Sequence, residues 1–157
     1  MSQSEVRKVW WCRSACMRSK AEHKRQLQHM LVVANHILHY HQVVDGFGHV
    51  SVRHPGRPNV YVMCGYMPPA LVESADDLIE YYVDGSDPVD PDAKKGYSER
   101  FIHGEMFKRY PDIQCVVHSH AEVVAPYTIS SVPLVSLLHM SGFLGMSEFH
   151  RSAASPS

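Results

Sequence analysis

The sequence predicts an α/β fold on three observations: a long amphipathic helix at 22–40, short alternating segments bounded by Gly and Pro, and a capped helix at 99–110 that runs directly into an apolar strand. At 157 residues the chain makes one domain, long enough to bury a core.

Each element has its own signal. Leu27, Met30, Leu31, Val33, Ala34, Ile37 and Leu38 recur at helical spacing, which argues a helix of about five turns. The interleaved His23, His29, His36 and His39 read as solvated or flanking positions. A Gly-rich turn at 45–48 then feeds a strand at 49–53 that Pro55 and Gly56 stop, and a second strand at 59–63 completes a hairpin. Gly46 and Gly48 let the backbone approach a ligand, but no helix begins there and no Lys, Ser or Thr follows where a phosphate cradle needs one. A short helix or turn is expected at 71–80, a strand at 81–84 ending at Gly85, and an Asp- and Pro-rich surface loop at 86–95.

Ser98 is placed to cap the helix at 99–110, with Phe101, Ile102, Met106 and Phe107 facing inward and Pro111 enforcing the stop. A strand at 114–120, a helix at 121–130 and an extended piece at 132–135 follow. The expected organisation is a loosely ordered extension at 1–21, a folded domain at 22–145 and a disordered tail at 146–157. The extension is basic, so a transit peptide is the alternative reading of it.

Composition narrows the function. Lys and Arg total 15 against 16 Asp and Glu, which leaves no electrostatic footprint for nucleic acid or an anionic membrane. The longest apolar runs fall well short of the ~20 residues of a membrane span. A soluble protein acting on a small molecule is therefore expected. Cys12, Cys16, Cys64 and Cys115 are scattered and make no disulfide framework, which points to a reducing, cytoplasmic setting. The Cys12 and Cys16 pair has no second pair to complete a zinc finger.

The chemistry concentrates in Val116-Val117-His118-Ser119-His120-Ala121-Glu122. In a strand alternate side chains share a face, so His118 and His120 would lie about 6–7 Å apart along one face. Two such imidazoles can converge on one ion. The alternative is a hydrogen-bonded, half-buried pair in a chain that holds 12 histidines.

The segment SERFIHGEMFKRYPDIQCVVHSHAEVVAPYTISSVPLVSLLHMSGFLG at 98–145, with GHVSVRHPG at 48–56 upstream, resembles the class II aldolase/adducin family over roughly residues 22–145. The resemblance implies a three-layer α/β/α domain with a mainly antiparallel central sheet, usually assembled as a homo-tetramer. It assigns Glu99 as catalytic acid/base and His118 and His120 as ligands of a divalent metal, with zinc first and iron or manganese as alternatives. Such an ion acts as a Lewis acid on a carbonyl or enolate oxygen while a carboxylate moves the proton. Outside that role Glu99 would be an ordinary first-turn glutamate favoured by the helix dipole.

Three departures shape the expectation. The family's third histidine ligand lies about sixty residues beyond His120, past Ser157, so the domain reads as incomplete at its C-terminus and its metal site as short of a ligand. The places where sugar-phosphate aldolases hold phosphate carry Gly46, His49 and Tyr97, with Ser98 surviving. Gly48, His49 and Ser98 remain the substrate-binding candidates, for a substrate other than a phosphorylated sugar. His139 falls near where aldolases supply a tyrosine, as an acid/base, a makeshift ligand or a buried structural histidine. The expected function is a metal-dependent lyase that carries out aldol cleavage or decarboxylation of a small carbonyl or carboxylate compound. A non-catalytic adducin-like interaction module and an iron-dependent oxygenase of the same fold are the alternatives.

Overall fold

The computed structural model describes residues 19–132. The expectations for the extension, the piece at 133–135, His139 and the tail lie outside those residues. Helix α1, Lys20–Tyr40, opens two residues earlier than its apolar stripe suggests, because Ser19 caps it by accepting the Glu22 N–H at 3.2 Å. Four short strands follow the order of the chain: β1 His49–Arg53, β2 Val60–Cys64, β3 Leu78–Tyr82 and β4 Cys115–His118. They form one antiparallel sheet in the order β3-β2-β1-β4. Helix α2, Arg100–Arg109, leads into β4. A second unit begins at Ala121 and holds the short helix α3, Ala125–Ile129.

The sheet lies between α1 and α2, and its two faces are built differently. On the α1 face Leu31, Val50 and Val62 are buried together, flanked by Leu27, Ala34, Leu38 and Val52. The other face carries Tyr61, Met63, Ile79, Tyr81, Tyr97, Phe107 and Val116. Central β2 is buried along its whole length, as a strand covered on both faces must be.

Several expectations are corrected by this packing. Met30, Val33 and Ile37 stay exposed, because α1 turns its 27, 31, 34 and 38 row toward the sheet and packs Val32 against the larger core cluster. His36 is not simply solvated: its Nε2 bonds the Val72 carbonyl at 2.7 Å and ties α1 to the turn at Pro69–Leu71. The segment at 71–80 is not one helix. It closes at Ala75–Asp77 with a Ser74/Asp77 capping box, which frees Leu78 to start β3 opposite Cys64.

The largest correction concerns α2. Phe101, Ile102 and Met106 are exposed, whereas His103, Gly104 and Phe107 are buried. The reason lies on β1, whose residues 49, 51 and 53 share the face turned to α2 and are all polar: His49, Ser51 and Arg53 are buried. A buried polar row needs polar partners, so α2 presents Glu99, His103 and the Phe107 carbonyl at helical spacing. Ser98 gives no cap; Glu99 takes that position without a side-chain capping bond.

Arg53 anchors the far end of this contact. Its guanidinium donates to the carbonyls of Ile113 at 3.1 Å, Pro58 at 2.5 Å and Phe107 at 2.9 Å, and lies 4.8 Å from the Phe107 ring centre. One side chain thereby fastens the end of α2, the hairpin loop and the approach to β4. At the other edge β4 stops at His118, so His120 lies beyond the strand and not within it.

Gly104 is where α2 touches the Gly85-Ser86 turn: an added Cβ would collide with Ser86 Oγ and stand 3.3 Å from the Val83 carbonyl oxygen. Gly104→Ala is expected to lower stability by about 1–3 kcal/mol in a denaturant titration. Gly46→Ala, whose Cβ meets open space, should leave the midpoint within about 0.5 kcal/mol of the parent.

Candidate functional site

The site forms where β1, β4 and the start of α2 meet. His49 and His118 are paired residues on neighbouring antiparallel strands, so their side chains emerge side by side, and the rings stack with centres 5.0 Å apart. Glu99, at the start of α2, reaches both: its Oε2 lies 3.1 Å from His49 Nε2 and 3.7 Å from His118 Nε2. His120, two residues past the end of β4, lies against His118, with their Nε2 atoms 3.0 Å apart and the rings edge to face.

Asp45 holds the other side of His120. Its Oδ1 accepts the N–H groups of Phe47 at 3.0 Å and Gly48 at 2.7 Å, the Asx-turn geometry, and lies 3.3 Å from His120 Nδ1. Burial works against the charged form of Asp45, but those bonds outweigh it and hold the carboxyl below its usual range. With Nδ1 engaged, His120 turns Nε2 toward His118 and Glu99. Gly48 itself is buried, and a Cβ there would stand 2.8 Å from Val44 Cβ and 3.0 Å from the His118 carbonyl oxygen. Its role in the fold is to let β1 and β4 approach.

His49 lies behind Glu99, fully buried, with both ring nitrogens bonded inside the protein. Nδ1 is 2.7 Å from His103 Nε2, and His103 Nδ1 is 2.5 Å from Ser51 Oγ. Burial lowers the pKa of His49, against the opposing pull of the Glu99 carboxylate. Burial, with the neighbouring His49 and His118 adding to it, pushes His103 down to about 3. Both rings are therefore neutral near pH 7.

Of the residues singled out from sequence, the structure brings Glu99, His118 and His120 together, their ligand atoms all within 4.8 Å of one another. Two imidazoles and one carboxylate are a donor set that catalytic zinc takes, and also the facial set of non-haem iron sites. Ser98 lines a cleft of about 550 Å³ with Tyr66, Tyr81, Lys94, Lys95 and Arg100, which Glu99, His118 and His120 do not line. His139 lies outside the described residues. Cys64 is buried and its thiol is pushed up to about 11, which removes it as a nucleophile.

Sequence reasoning missed Asp45 and His103. Asp45 stands three residues before Gly48 in a Gly-rich turn, the Asx-turn pattern. His103 stands one helical turn after Glu99, on the same face.

An antiparallel sheet between two helices, with an acid and a histidine pair converging at one strand end, defines a class II aldolase-type domain. The chain belongs to the Class II Aldolase and Adducin N-terminal domain family, which it matches over residues 28–149. It is 52% identical over 112 residues to Decarboxylase tropJ of Talaromyces stipitatus, a match covering 71% of this chain and 42% of that protein. Among solved structures it resembles the L-fuculose 1-phosphate aldolase from Glaciozyma antarctica PI12, with a TM-score of 0.66 at 21% identity, covering 82% of this chain and 54% of that one. An aldolase II superfamily protein from Pseudomonas syringae matches with a TM-score of 0.63 at 20% identity, covering 85% and 53%. The chain thus spans about half the length of these relatives, or less. No helix among the described residues is long and apolar enough to cross a membrane.

The depressed His103 pKa carries a pH signature. The unfolded chain, with an ordinary histidine pKa near 6.5, takes up this proton more readily than the folded one. The contribution is therefore fully present above about pH 6.5 and is lost as pH falls toward about 3. Its slope is roughly 1 kcal/mol per pH unit across that window. Denaturation of His103→Gln should show a shallower loss of stability than the parent between those limits.

Proposed function

We propose that this chain carries the metal and proton-transfer residues of a class II aldolase-type lyase, and that the reaction is decarboxylation of a small carboxylate bearing a carbonyl beside the scissile bond. The observation that carries the reading is the convergence of Glu99, His118 and His120 within 4.8 Å, in a chain 52% identical to a protein named as a decarboxylase.

His118 and His120 would hold the divalent ion, zinc in the first instance, with Asp45 orienting His120 from behind. Such an ion, when bound, polarises the substrate carbonyl oxygen and stabilises charge developing there. The remaining steps belong to the chain's own side chains. As the carboxylate leaves as CO2, its bonding pair stays on the substrate carbon and spreads into the adjacent carbonyl. Glu99, 42% exposed at its side chain, takes a proton from solvent, passes it to that carbon and is left again as the carboxylate.

The protein would act in the cytoplasm as a homo-oligomer, and the exposed Met30, Val33, Ile37 and Tyr40 of α1 supply apolar surface for assembly.

Calorimetric titration of the full chain with Zn²⁺ tests the reading. One ion per chain is expected, with His118→Ala and His120→Ala each weakening binding by at least ~10-fold. Glu99→Gln should abolish CO2 release from a carbonyl-bearing carboxylate substrate while leaving at least part of the Zn²⁺ affinity. Absence of stoichiometric binding, or binding indifferent to both histidine substitutions, would reject the assignment.

A further inference from the structure

The catalytic reading leaves unexplained why three polar side chains are buried in series behind Glu99. Ser51, His103, His49 and Glu99 form an unbroken chain of contacts: Ser51 Oγ to His103 Nδ1 at 2.5 Å, His103 Nε2 to His49 Nδ1 at 2.7 Å, and His49 Nε2 to Glu99 Oε2 at 3.1 Å. His49, Ser51 and His103 are buried, His49 and His103 at 0% exposure. The group in the series whose hydrogen-bonding polarity is fixed stands at its outer end, the Glu99 carboxylate.

That end determines the direction of every bond. A carboxylate oxygen only accepts, so His49 Nε2 must carry the hydrogen. A neutral imidazole has one N–H, which leaves His49 Nδ1 as an acceptor and obliges His103 Nε2 to donate to it. His103 Nδ1 is then an acceptor as well, and the Ser51 hydroxyl donates to it. All three bonds run toward Glu99.

We propose that Ser51 and His103 are positioning residues that lock His49 in its Nε2–H tautomer, so that His49 presents a fixed donor to Glu99 and keeps the carboxylate turned to the His118 and His120 pair. The role of Glu99 in this statement rests on the proposed function, but the tautomers do not. The aromatic surroundings serve the same end. His49 is clamped between Tyr97, His103 and His118, with ring centres at 4.6, 4.8 and 5.0 Å, so its ring cannot flip to exchange its nitrogens without unpacking three neighbours. A substrate contact is not available to it; its service to the site passes through Glu99.

The experiment uses the full 157-residue chain, labelled with ¹⁵N, and reads histidine tautomers by long-range ¹H–¹⁵N correlation near pH 7, with signals assigned through His49→Asn and His103→Gln. Nε2–H is expected on both His49 and His103. Nδ1–H on either ring, or a charged His103, overturns the proposal, since the chain of donors would then run away from Glu99. His103→Leu removes the donor to His49, whereas His103→Gln keeps an N–H close to the position of Nε2. His103→Leu should give His49 a mixture of tautomers and weaken Zn²⁺ binding by ~10-fold or more, and His103→Gln should restore both. Equal losses in the two variants, tracking their melting temperatures, would mean that His103 only fills space and would refute the role assigned here. If the parent binds no Zn²⁺, the metal reading fails on its own, and the tautomers of the parent still decide the relay.

Discussion

The structure depends on a strand that is buried on both faces yet polar on one. Every second residue of β1, His49, Ser51 and Arg53, turns toward α2 and is sealed from water. A buried polar group left without a partner costs about 1–3 kcal/mol, comparable to a large fraction of a domain's net stability. The register of α2 against the sheet follows from this. Only one placement gives His49 a carboxylate, Ser51 an imidazole and Arg53 a set of carbonyls, and that placement brings Glu99 to the end of β4. Packing of apolar side chains tolerates sliding and repacking; a row of three hydrogen-bonded contacts does not.

The same constraint separates the structural from the reactive part of the row. Arg53, at the far end of the contact, meets backbone carbonyls and an aromatic ring. Ser51 and His103 in the middle are neutral groups bonded to one another. Only at the outer end, where the strand pair opens, do titratable groups face partly exposed space: Glu99, His118 and His120. The fold thus spends its buried polar groups on rigidity and leaves the converging donors accessible. Asp45 plays the matching part across the site, since the bonds that shape the turn before β1 also hold it against His120.

Much of this was legible before the structure. Helical spacing located α1, the Gly and Pro punctuation located the β1–β2 hairpin, and the His-x-His spacing drew attention to residues that do converge. The inward face of α2 was not legible. Phe101, Ile102 and Met106 are the apolar residues of that helix, and reading them as its buried side assumes an apolar partner. The partner is β1, whose alternation of Val50 and Val52 with His49, Ser51 and Arg53 looks like a strand with one solvated face. Both faces are in fact covered, and the two elements are polar toward each other. His120 likewise lies past the last paired residue of β4, which ends at His118, yet its Nε2 comes within 3.0 Å of His118 Nε2.

The sequence by itself determined the local elements and the chemical types available at the site, because periodicity, caps and turns are set by neighbours along the chain. Only the tertiary structure decided which polar residues are interior and what each one faces. His103, an unremarked residue of a helix, became the link between Ser51 and His49, and His49 became the support of Glu99. The physical reason is that satisfying a buried hydrogen bond is a relation between distant segments: β1 and α2 lie about fifty residues apart in the chain, and nothing in either alone states that the other will be its solvent.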